Sequence, residues 1–152
     1  MVDFSGLLKA PAGQASRPKP LPVGNYPGII KSFSMEAAPA GKDYTAMVRF
    51  QVGLLDWPEL GVSEEDKVQT QPDGSSRQID LSKRQLRKDF YDNSLFRLDD
   101  FIKSCSVEIN GRTYEEVLPE LIGARVVVGV EQYLNQQTND LGNQIRNLVG
   151  QS

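Results

Sequence analysis

Between Tyr44 and Val52 apolar and polar residues alternate: Tyr44, Ala46, Val48, Phe50 and Val52 fall on one side of the period, and Thr45, Met47, Arg49 and Gln51 on the other. A period of two is the mark of a strand with one face in a core and one in water. The pattern places Val48 and Phe50 inside and Thr45 and Arg49 outside. Such a strand is not stable alone, so the flanking sequence must supply a sheet.

Upstream, Leu21-Pro22-Val23-Gly24-Asn25-Tyr26-Pro27-Gly28 leads into Ile29–Met35, which reads as a first strand, with a turn at Pro39, Gly41 and Lys42. Residues 1–20 mix Pro, Gly, Ala and Ser with Lys9, Arg17 and Lys19 and hold no sustained period. They read as a flexible arm, whose Phe4, Leu7 and Leu8 have helical spacing, ahead of an ordered domain over 21–152. Downstream, residues 56–78 form a long excursion with a tight turn at Gln71-Pro72-Asp73-Gly74, and the basic segment from Ser82 to Tyr91 ends as a third strand.

After Ser94 the period changes. Leu95, Leu98, Phe101, Ile102 and Cys105 recur at helical spacing, with Arg97, Asp99, Asp100 and Lys103 on the opposite face. Asn110-Gly111 marks a turn, and Thr113 with Glu116 forms the Thr-x-x-Glu pattern of a capping box, with Tyr114, Val117, Leu118, Leu121 and Ile122 inward and Gly123 ending the helix. Arg125–Tyr133 and Asn143–Val149 read as the two strands of a closing hairpin joined by a polar loop from Asn135 to Gly142. The fold class is mostly β with short helices (α+β). Five strands with a helical segment between the third and fourth predict a small barrel like the oligonucleotide-binding (OB) fold, an element order that another α+β sheet would share.

The chain has 152 residues, the size of one domain, and no histidine. That removes the commonest general base, the Ser-His-Asp and Cys-His arrangements and the usual zinc sites. Its adjacent acids, Glu64-Glu65-Asp66, Asp99-Asp100 and Glu115-Glu116, point roughly 100° apart where they lie on a helix, so they do not converge on one ion. The expectation is a protein that is not an enzyme and carries no cofactor or metal. A single Cys105, expected to be buried and inert, and an opening Met1-Val2-Asp3-Phe4 without a basic, apolar leader predict a reducing, cytoplasmic setting and no membrane partner.

Net charge is −3, which argues against a polyanionic partner. The signs are segregated along the chain, however. Arg77, Lys83, Arg84, Arg87 and Lys88 stand against Asp80 alone over residues 77–88, and Phe90 and Tyr91 follow directly. Single-strand binding needs cations to follow phosphates and flat side chains on which unpaired bases stack, and this segment offers both. The candidate nucleic-acid contacts are Arg49, Trp57, Arg77, Lys83, Arg84, Arg87, Lys88 and Tyr91, with Tyr133 and Arg146 on the closing hairpin.

Several short motifs then point to a family. Leu21-Pro22-x-Gly24-x-Tyr26, Gly41-Lys42-x-Tyr44, Leu95-Phe96-Arg97-Leu98-Asp99-Asp100-Phe101-Ile102, Leu121-Ile122-Gly123-x-Arg125-Val126 and the closing strand around Asn147 occur in order over residues 21–149. In these the chain resembles a family of phage and prophage single-stranded DNA-binding proteins, long catalogued as a domain of unknown function. The resemblance implies an OB-like barrel that coats single-stranded DNA without sequence preference in phage replication or recombination, alone or with copies of itself or replication proteins. It brings no catalytic motif and no set of ligand residues. The chain departs from many single-strand binders in ending at Gly150-Gln151-Ser152 without an acidic tail for recruiting partners. Two other readings stay open: a virion structural or assembly protein, and a metal-dependent nuclease using Asp73, Asp80 and Lys83.

Overall fold

A computed structural model describes residue 8 and residues 19–71 and 73–151. The arm expected over 1–20 lies outside the described residues, apart from Leu8, Lys19 and Pro20. Five strands form one antiparallel sheet in the order β5-β2-β1-β6-β7, comprising β1 (Gly24–Ala37), β2 (Ala46–Leu54), β5 (Leu86–Tyr91), β6 (Arg125–Asn135) and β7 (Asp140–Gly150). The excursion after β2 folds into a separate two-stranded hairpin, β3 (Val68–Thr70) and β4 (Ser76–Gln78). Between β5 and β6 lie helix α1 (Leu95–Ser104) and the short helix α2 (Tyr114–Val117), which runs into a 3-10 turn over Leu118–Leu121.

β1 organises the sheet because it pairs on both sides. Gly24–Ile29 meets β6 and Gly28–Ala37 meets β2, with a register irregularity between Ile30 and Ser32. Such a bulge bends a strand and increases its twist. Near the crossover a side chain on Gly28 would meet Val128 Cγ2 at 2.6 Å and the Gly53 carbonyl at 2.8 Å, so only glycine lets the three strands approach this closely.

The curvature brings the outer strands β5 and β7 near each other, but they do not pair. Of the expected OB-like five-stranded barrel the five strands are present, but the sheet is not closed and stays open along a seam between β5 and β7. Helix α1 packs on both edge strands and spans one end of that seam. At its C-terminus the Gly150 amide donates to Ser104 Oγ at 2.8 Å, and a Cβ on Gly150 would lie 2.2 Å from the Ser104 carbonyl oxygen.

The core is built from the sheet and the helical segment together. Tyr26, Ile30, Phe50, Val52, Val126 and Val128 come from the strands, with Leu98, Ile102, Val117, Leu118 and Leu121 from the helical segment. Phe50 is fully buried and meets Phe90 and Phe101 edge-on, with centroids at 5.8 and 5.5 Å. The Thr113 hydroxyl accepts from the Glu116 amide, as the capping pattern predicts. Tyr114 ties the helices together by donating its phenol to Asp99 at 2.6 Å, and burial with this bond pushes its pKa up to about 12. Tyr114→Phe removes only that bond. It is expected to cost about 1.5 kcal/mol, read as a lowered urea midpoint with an unchanged slope.

Four smaller expectations are corrected. Met47, placed on the wet face, is buried because it lies between Glu36 and Tyr91 in register and receives the Arg49 guanidinium on its sulfur. Ile122, expected inward, is half exposed because the backbone turns extended there after the 3-10 turn. Cys105 is half-buried, and burial raises its thiol pKa. The polar loop at 135–142 shrinks to residues 136–139. Asn139 takes a left-handed conformation and its amide donates to the Asn135 carbonyl, so the ladder runs on through Leu134–Leu141 and Asn135–Asp140.

Candidate nucleic-acid interface

Four clefts follow one another along the seam and share walls. One of about 420 Å³ lies between β5, α1 and β7, and one of about 310 Å³ between β5 and the β6/β7 hairpin; Lys88, Asp89 and Tyr91 line both. The second joins a cleft of about 620 Å³ through Leu86 and Asn143, and that one joins a cleft of about 260 Å³ beside β3 and β4 through Lys83 and Arg84. Through these shared residues they form one groove, three of whose four clefts are lined in part by β5.

Its walls are basic. Arg77, Lys83 and Arg84 stand at the hairpin end, Arg87 and Lys88 in the middle, and Arg97 and Arg146 at the helix end. The acids on the same walls are fewer: Asp80, Asp89, Asp100 and Asp140. Among the described residues no glutamate lines the groove. Glu116 and Glu120 pair with Arg112 near α2, and Glu64, Glu65 and Asp66 sit in a 3-10 turn. The net charge of −3 thus coexists with a cationic channel, because most of the acid lies outside it.

The groove also presents aromatic surface. Tyr91, 36% exposed, lies against Tyr44 with ring centroids 4.3 Å apart, and Tyr133, 42% exposed, lines the same 310 Å³ cleft from β6. Phe90, next in sequence, is buried in the core, as alternation along β5 requires. Lys88 shares the inward side and lays its ammonium over the Phe90 ring at 5.8 Å, with its charge at the groove.

Eight of the ten residues singled out from the sequence line the groove: Arg77, Lys83, Arg84, Arg87, Lys88, Tyr91, Tyr133 and Arg146. Arg84 has a second job, donating to the Lys19 carbonyl at 2.7 Å and so fastening the start of the domain. Arg49 sits one strand inward, its guanidinium held by Asp89. Trp57 is not in the groove. It packs on Tyr26 at 6.1 Å and covers part of the core.

Two groove cations were missed. Lys19 fell within the stretch read as an arm, but its amide donates to Gln69 and its ammonium to the carbonyls of Glu65 and Val68. Arg97 read as the solvent side of a helix, and only the tertiary placement of β7 sets it beside Arg146.

Asp73 and Asp80 each accept from the amide and hydroxyl of a serine two residues on, Ser75 and Ser82, which holds both carboxylates below their usual range. Among the described residues no three acids or thiols gather as a metal-binding group, and no helix is long and apolar enough to cross a membrane. No protein-family model matches the chain, and no curated protein matches it.

Proposed function

We propose that the chain is a non-catalytic, sequence-independent single-stranded DNA-binding module and that its fold is of the OB type, left open along the β5/β7 seam. The continuous cationic groove with two exposed tyrosines carries this reading. Cations spaced along a channel can track a phosphate backbone, and aromatic faces between them accept unpaired bases without regard to sequence. The strand order, with helices between the third and fourth strands of the sheet, suits an OB-like meander. A role in phage DNA replication or recombination follows from the family resemblance.

The test is fluorescence anisotropy of a labelled dT oligomer at two salt concentrations, with a duplex control. Tryptophan emission is the weaker reporter, because Trp57 lies away from the groove. Binding is expected to favour the single strand and to weaken with salt at a log-log slope of roughly −3, from about four neutralised phosphates. No binding at low salt overturns the proposal, and magnesium-dependent cutting turns it toward a nuclease. Tyr91→Ala is expected to weaken binding by about 1–3 kcal/mol while leaving the salt slope unchanged, since it removes a stacking face and no charge.

A further inference from the structure

The Arg49–Asp89 pair sits directly beside the groove. The two residues are exact register partners across β2 and β5. Arg49 Nε donates to Asp89 Oδ1 at 2.9 Å and Nη2 to Oδ2 at 3.3 Å, so the guanidinium fork is filled by one carboxylate. The side chains keep 21% and 14% of their exposure, so the pair is largely covered yet reachable. Glu36, two residues beyond the β1 partner of Arg49, adds a second negative field. Asp89 is also the one acid lining both clefts that meet at Tyr91.

A guanidinium engages a carboxylate and a phosphate through the same fork of N–H donors. A phosphate in the groove therefore competes with Asp89 for Arg49. We propose that Asp89 is a positioning residue that withholds Arg49 from the bound strand and thereby limits how tightly the groove holds single-stranded DNA. The inference rests on the groove being the single-strand site. It gives a reason for an acid at the centre of a cationic channel: a protein that coats a strand must also be displaced from it.

Asp89→Asn keeps the shape, removes the charge and leaves one acceptor oxygen in place of two, loosening the hold on the Arg49 fork. The full chain carrying it is expected to bind a labelled dT oligomer about tenfold more tightly at low salt, with the salt slope steeper by about 0.7, one further phosphate. In Asp89→Asn combined with Arg49→Gln, affinity and slope are expected to return to those of the unaltered chain. A purely structural cross-strand pair predicts otherwise: a lower urea midpoint and no steeper slope. If the amide unfolds the chain, Asp89→Ser carries the same comparison. Binding by the unaltered chain with no gain in the single variant, or a gain that survives in the double variant, overturns this inference and leaves the groove assignment standing. Failure of every protein, the unaltered chain included, to bind the oligomer overturns both.

Discussion

Reversing Lys83, Arg87 and Arg146 to Glu in one chain is expected to lower affinity for a dT oligomer at least about a hundredfold at low salt and to flatten the log-log salt slope by roughly 2. These three are chosen because all are exposed and stand along the groove on both walls, Lys83 and Arg87 on the β5 side and Arg146 on β7. Arg84 and Lys88 are left alone although they line the same channel. The first holds the Lys19 carbonyl and the second covers the Phe90 ring, so reversing either disturbs packing as well as charge. Surface reversals away from such contacts cost little stability, so the urea midpoint of the triple variant is expected to stay close to that of the unaltered chain. A matched reversal of Lys42, Lys103 and Arg125, all exposed and none lining the groove, controls for net charge. Equal losses in the two triple variants point to diffuse attraction and away from a defined channel.

The strands of this fold were legible where one face is wet. The alternation through Phe50 located β2, the change of period after Ser94 located α1, and Thr113 marked the start of α2, because each is a local consequence of which side chains meet water. The C-terminal hairpin was legible in kind but not in length. Asn135–Asp140 is polar throughout, and nothing in that run announces that Leu134 and Leu141 still pair across it. The groove was half legible for the same reason. Its β5 wall is a run of neighbours in sequence, whereas Arg97 and Arg146 join it only through the packing of α1 against β7. The least legible contact is Arg49 with Asp89, since strand register depends on the whole sheet and a slip of one residue would put the two on opposite faces. Trp57 shows the reverse case. An aromatic residue in a loop before Pro58 offers a stacking face on sequence grounds, but burying it over Tyr26 removes more apolar area from water.

Phe50→Ala is expected to destabilise the chain by about 3–5 kcal/mol, a large share of the roughly 5–15 kcal/mol available to a domain of this size. Phe50 is fully buried, lies at the middle of β2 and is gripped by rings from three elements: Phe33 on β1, Phe90 on β5 and Phe101 on α1. Its removal leaves a cavity that the sheet cannot readily close, because β2 is hydrogen-bonded on both sides, to β1 and to β5. Urea unfolding followed by Trp57 emission reads the loss, since that ring packs on Tyr26 and reports the core. Phe50→Leu keeps most of the volume and is expected to cost less than about 1.5 kcal/mol. The pair of variants also probes the groove. Lys88 is the register partner of Phe50, and the Phe90 ring under the Lys88 ammonium rests edge-on against Phe50. The strand carrying Arg87 and Tyr91 is therefore held from beneath by the residue being changed. In Phe50→Leu, folded at 25 °C, weaker binding to the dT oligomer with an unchanged salt slope is expected, because the same charges remain on a less firmly seated strand. Unaltered affinity in that variant means that pairing with β2 and packing against α1 and β7 keep β5 in place without the Phe50 ring.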